Sequence, residues 1–222
     1  MSTVPKVSVA RAAKVTLLSV LSCAVVAWAG GGRGFVRRPV GVVLLAIWFF
    51  WWWTTAWYRP LGSASRYSRR ALGMALLLIP AYVVGLVVVP WEYTHYAGPI
   101  PRDGALAWVG LAFFVLGALL GAWAMRTLSG SYTMRLNVTS GQALVTTGPY
   151  AVVRNPGYLG NILALLGIGL ALSSLVGISL TLVAVVGLAI RIRREERMLL
   201  AEFGDQFRAY AQRTQRLVPL LY

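Results

Sequence analysis

Apolar residues run along this chain in long blocks separated by short polar breaks, and no stretch alternates at the strand period of two. Blocks from Ala12 to Gly30, Val40 to Tyr58, Ala71 to Trp91 and Ala105 to Met125 each approach the roughly 20 residues a helix needs to cross a hydrocarbon core. A fifth block, Leu159 to Ile190, exceeds the roughly 17 to 25 residues of one upright span. Gly169, Ser173, Ser174 and Gly177 offer a turn near its middle, so the pattern predicts a tight helical hairpin. The expectation is an all-α, polytopic transmembrane bundle of six crossings with both termini on one side. Residues 1–126 would hold four spans, and residues 127–222 a loop, the hairpin and an amphipathic C-terminal helix.

Composition agrees: 58% of the residues are hydrophobic and 12% charged, the balance of a lipid-immersed chain. A soluble Rossmann-type cofactor domain is excluded, because the glycines at 30, 31, 32 and 34 follow no strand and could sit in no βαβ unit. They read as a loop. The net charge of +15 raises the question of nucleic acid, but the basic residues are scattered at span ends rather than gathered on one soluble face. Anionic lipid headgroups are the partner this distribution suits. Arg59, Arg66, Arg69 and Arg70 fall in the second loop, Arg126, Arg135 and Arg154 in the fourth, and seven arginines follow Ile190. The positive-inside rule makes those segments cytoplasmic, with the near-neutral loop from Glu92 to Asp103 outside; Arg33, Arg37 and Arg38 run against the scheme.

Several features have plain readings. Lys6, Arg11 and Lys14 precede a run ending Ala27-Trp28-Ala29, which resembles a signal-peptide cleavage site, yet the spans that follow favour a retained anchor. Cys23, alone and mid-span, is a small packing residue. The aromatic run Phe49 to Trp53, flanked by Trp48 and Trp57, suits an interfacial belt or lipid-facing packing.

Chemistry is confined to two polar clusters. In G-P-Y-A-V-V-R-N-P-G-Y, Gly148 to Tyr158, Pro156 pushes Asn155 toward an extended conformation and suits the first turn of a helix. The amide groups of such a start favour an anionic or carbonyl ligand, and Arg154 stands just ahead of it as either a site residue or a snorkelling one. In R-I-R-R-E-E, Arg191 to Glu196, Arg191 and Glu195 share a helix face while Arg193 and Glu196 point elsewhere; a solvated run of ion pairs is the alternative. Leu199, Phe203, Phe207 and Tyr210 then recur at helical spacing, predicting an amphipathic helix able to cover the cytoplasmic end like a lid.

Over its last ninety or so residues the chain resembles the isoprenylcysteine carboxyl methyltransferases and their prokaryotic relatives, integral membrane enzymes using S-adenosylmethionine. The agreeing pieces are Ala143 to Asn161, the apolar hairpin, Arg191 to Tyr210, and R-L-V-P at Arg216 to Pro219. The resemblance implies cofactor contact for Gln142, Ala143, Leu144 and Val145, for Tyr150, for Asn155, Pro156, Gly157 and Tyr158, and for Glu195. It assigns Arg191 to the substrate and places Arg154 near methyl transfer, which makes both candidate catalytic and substrate-binding residues. Asn155 and Gln142 stand where histidine is usual in the family; both still donate and accept hydrogen bonds, but neither can act as an imidazole base. The only histidine, His95, is expected on the opposite side of the membrane. An ionised carboxylate acceptor needs no base, so the implied reaction is O-methylation of a lipophilic or lipidated carboxylate held by Arg191 or Arg154. No metal is implied. A phospholipid amine N-methyltransferase, an NADPH-using membrane sterol reductase and a non-catalytic membrane protein remain alternative readings.

Overall fold

The computed structural model describes residues 9–58, 85–96, 99–128 and 144–218. Gln142, Ala143 and most of the expected third span lie outside these residues. The regular elements described are helical: α1 (Val9–Ala29), α2 (Arg33–Val36), α3 (Pro39–Tyr58), α4 (85–95), α5 (Ala105–Leu128), α6 (Pro156–Ala171) and α7 (Leu175–Gln212), with one 3-10 turn at Gly148–Ala151. Stretches Ala12–Ala29, Ala105–Leu128 and Leu175–Gln212 have the length and apolarity to cross a membrane, while α3 and α6 give shorter apolar helices. The outward faces of α5 and α7, with Leu116, Leu119, Trp123, Leu182 and Val186 exposed, are as apolar as the inside. Only lipid makes such a surface favourable. The protein is an integral membrane helical bundle.

Small residues decide where the bundle is tightest. A Cβ added to Gly110 would lie 2.3 Å from the backbone nitrogen of Ala171, and one on Gly117 would lie 2.5 Å from that of Ala164. From the other helix, Gly160 and Gly167 press equally hard on the α5 backbone. Gly160, Ala164, Gly167 and Ala171 form a stripe on α6 at alternating spacings of four and three, which lets α5 and α6 approach backbone to backbone. A second cluster joins α1 to α3, where Trp48 donates to the Ser22 hydroxyl at 3.2 Å and the Cys23 thiol packs against the Leu45 carbonyl at 3.7 Å. The aromatic run does not act as a simple belt: Trp48 is buried, and it and Trp51 meet Phe114 of α5 at 6.2 and 5.8 Å between ring centres. Phe50, on the other face, is exposed.

The expected hairpin is present. Its turn comprises Leu172 to Ser174, with Ser173 at φ 50° and Ser174 capping α7 by accepting the Gly177 amide at 2.9 Å. Two expectations are corrected nearby. Residues 92–95 are not loop, because α4 runs on through them, and Glu92 is buried at the hairpin turn. Its carboxylate accepts the Ser174 hydroxyl and the Leu175 and Val176 amides, the latter two at 3.2 and 3.3 Å. A helix start leaves such amides without intrahelical partners, and an anion there is favoured by the helix dipole. Beside it, Asp103 accepts the Tyr93 hydroxyl and pairs with Arg38 at 2.8 Å, which accounts for one arginine that ran against the charge pattern. The glycine-rich loop is likewise not wholly loop, since Arg33–Val36 forms the short α2 with Phe35 fully buried.

At the other end, α7 is longer than the hairpin required. The exit helix and the expected amphipathic helix are one element, bent at Gly204, whose φ of 50° and ψ of −122° only glycine adopts without strain. Past the bend, Phe207 and Tyr210 turn inward and are buried.

Candidate active site

The open end of the hairpin brings the two polar clusters together. Helix α6 begins with Pro156 at its first position, as its fixed φ allows. Asn155 occupies the N-cap position at φ −125° and ψ 54°, short of fully extended, and its side chain does not cap the helix. Its Nδ2 donates instead to the Arg216 carbonyl at 2.8 Å. Gly157 has room around it, the nearest neighbour of an added Cβ being the Ala124 methyl at 4.0 Å. One turn in, the Tyr158 hydroxyl donates to both Glu195 oxygens, at 2.7 and 2.9 Å. Arg191 donates through Nε to the same carboxylate at 2.8 Å and lies over the Tyr158 ring, 5.5 Å from its centre. Its side chain is 41% exposed at the mouth.

Arg154 has a different environment. With 11% side-chain exposure, it donates through Nε to Glu196 at 2.9 Å and through Nη1 to the Ala211 carbonyl at 2.9 Å and to the Thr214 carbonyl. It is not a snorkelling residue: it is bound into the C-terminal segment. Glu196 points away from the Arg191–Glu195 face, as helical spacing predicts, but it is not solvated: its second oxygen accepts Arg216 Nε at 2.8 Å. Consecutive helix residues point about 100° apart, so Glu195 and Glu196 grip different partners.

The segment after α7 runs back along residues 150–155. Val153 and Gln215 form an isolated parallel bridge, with the Gln215 amide donating to the Val152 carbonyl at 3.0 Å and the Arg154 amide to the Gln215 carbonyl at 2.8 Å. The Tyr210 hydroxyl donates to the Tyr150 carbonyl at 2.8 Å. Tyr150 lies in the 3-10 turn, and Leu144 and Val145 approach it without regular secondary structure. Thr214 and Gln215 were not anticipated as parts of this end, nor were the contacts that Glu196 and Tyr210 make there. The doubled glutamate beside the closing R-L-V-P was the one available signal.

Residues 105–206 match the family model described as phospholipid methyltransferase. A probable protein-S-isoprenylcysteine O-methyltransferase of Oryza sativa subsp. indica is 27% identical over 167 residues, spanning 72% of this chain and 87% of the relative. The cobalt-zinc-cadmium resistance protein CzcN of Cupriavidus metallidurans is 35% identical over 116 residues, 52% of this chain and 49% of the relative. The solved eukaryotic intramembrane Ras methyltransferase, isoprenylcysteine carboxyl methyltransferase, shares the fold with a TM-score of 0.60 at 21% identity, across 92% of this chain and 76% of that one. The bundle with its polar-mouthed hairpin is thus that of an integral membrane methyltransferase. Within that class the chain is similar to protein-S-isoprenylcysteine O-methyltransferases, and methyl transfer calls for a methyl donor.

Proposed function

We propose that this enzyme methylates the carboxylate of an amphiphilic, isoprenylcysteine-like acceptor, using S-adenosylmethionine, at a site on the cytoplasmic side. The observation that carries the reading is Arg191: Glu195 accepts its Nε while the side chain stays part-exposed beside the start of α6. A guanidinium so held can take a carboxylate bidentately. His95 stacks on Trp91 at the turn end, with ring centres 5.1 Å apart, so no histidine base serves the mouth. A carboxylate ionised at neutral pH needs none, and orientation supplies much of the rate.

The residues at the mouth suit S-adenosylmethionine, which when bound supplies an electrophilic methyl group on sulfonium. Glu195 can accept from an ammonium or from ribose hydroxyls, and the uncapped start of α6 at Gly157 offers an amide to a carboxylate. Leu144, Val145, Tyr150, Asn155, Pro156 and Tyr158 would line the donor's side, joined by Gln142 and Ala143 through the family resemblance. In this reading residues 127–222 form the catalytic region, and residues 1–126 enclose it. Arg154 serves there by holding the segment in place rather than by touching the acceptor. Exposed Arg193, Arg194 and Arg197 near the mouth support a cytoplasmic orientation, with six crossings and both termini on that side.

Methyl transfer to a phospholipid amine is the second reading, favoured by the description of the matching family model. Incubating the purified enzyme with isotopically labelled S-adenosylmethionine and either a prenylcysteine or bacterial lipid extract separates the two. A base-labile labelled methyl ester is expected. Label confined to a headgroup nitrogen would transfer the assignment to the second reading.

A further inference from the structure

We propose that Glu196 is a positioning residue for the methyl-donor end of the site, acting through Arg154 and Arg216; this rests on the methyl-transfer reading above. Glu196 is 12% exposed and bridges arginines from two segments far apart in sequence, one before α6 and one after α7. Each partner is fixed a second time: Arg154 by the Ala211 and Thr214 carbonyls, and Arg216 through its own carbonyl, which accepts from Asn155. The two acceptor chains meet in the Val153–Gln215 bridge.

The consequence lies four residues along from Arg154. Glu196 holds the chain at Arg154 just before α6, and Glu195 holds it at Tyr158 just inside α6. Two neighbouring carboxylates on one rigid helix therefore clamp the start of α6 on both sides of its N-terminus. Loss of the Glu196 grip leaves Tyr158 as the one side-chain tie from α7's carboxylates to that start, the rest being bonds to the tail, so the geometry between Gly157, Tyr158 and Glu195 loosens. The charges point the same way. Arg154, Arg191 and Arg216 against Glu195 and Glu196 leave one positive charge in excess, and with Arg191 on Glu195 and both Arg154 and Arg216 on Glu196, the excess falls at the Glu196 bridge, where losing the carboxylate would leave two cations facing each other. A charge left buried without its partner would disrupt this end, since breaking a buried pair costs more than the pair contributes.

Calorimetric titration of the detergent-purified full chain with S-adenosylhomocysteine tests the idea. Glu196→Gln is expected to weaken binding about tenfold, with Glu196→Asp recovering part of the loss. The double variant with Tyr158→Phe should lose less than the product of the single effects, because both act on one segment. Without ligand, Glu196→Gln should speed amide exchange at residues 150–158 and 213–218 but not along the α5–α6 crossing. Unchanged binding in Glu196→Gln, or independent effects in the double variant, overturns the proposal. If Glu196→Gln fails to fold, Arg216→Gln cuts the other arm and should weaken binding about threefold; unchanged binding there is equally fatal. An unsubstituted chain that does not bind sinks the methyl-donor reading and this proposal together, whereas normal binding with an indifferent Glu196 sinks this proposal alone.

Discussion

The two ends of the hairpin handle buried carboxylates in opposite ways. At the turn, Glu92 is met by a hydroxyl and two backbone amides of a helix start, all short-range and all part of the fold. At the mouth, Glu195 and Glu196 are met by long side chains from three segments, and one of those cations, Arg191, stays accessible. At the turn end Glu92 is satisfied by dipoles. The mouth is closed by charges that another anion can join. A seam and a site can thus be built from the same residue type, and the donors decide which results.

Four substitutions would break or sharpen that contrast. Arg191→Ala should lower turnover about a hundredfold or more while S-adenosylhomocysteine binding and the unfolding temperature barely move, as fits a group realised chiefly in the transition state. Full turnover in that variant, read by labelled methyl transfer, would erase the distinction between the ends. Glu92→Ala should do the reverse: it strands a buried hydroxyl and two amides, costing about 2 to 4 kcal/mol in detergent unfolding, while folded enzyme keeps its specific activity. Tyr158→Phe should weaken donor binding roughly tenfold, the scale of one hydrogen bond to a charged group. Asp205→Asn should alter neither activity nor unfolding temperature, because its pair with Arg208 is exposed on both sides.

Much of the frame was legible because membrane crossing imposes long apolar blocks that nothing else explains. The hairpin, its serine turn and the helix start at Pro156 follow from local rules and appear where those rules place them. The site was legible only in part. Arg191 and Glu195 are four apart on one helix, so spacing alone pairs them. Tyr158 meeting Glu195, and Arg154 meeting Glu196, depend on two segments about forty residues apart closing at one level, which no local pattern states. Burial of Glu92 was missed for a related reason. A polar residue after an apolar block looks like the start of a loop, and only the returning turn of the hairpin makes it a cap. The α5–α6 stripe was overlooked among 23 glycines, although its alternating spacing was visible in principle.

The bend at Gly204 makes the last two turns of α7 a lever. From Gly204 to Gln212 the arm is about 12 Å long at 1.5 Å per residue, so a swing of about 20° at that one backbone unit moves its tip by about 4 Å. That displacement is larger than the tolerance of any hydrogen bond the tail makes with Tyr150, Arg154 or Asn155. An added side chain at 204 would meet no atom within 4 Å, yet its φ there would be strained. Alignment of the tail against the mouth therefore hangs on the torsional freedom of a single residue that touches nothing in it.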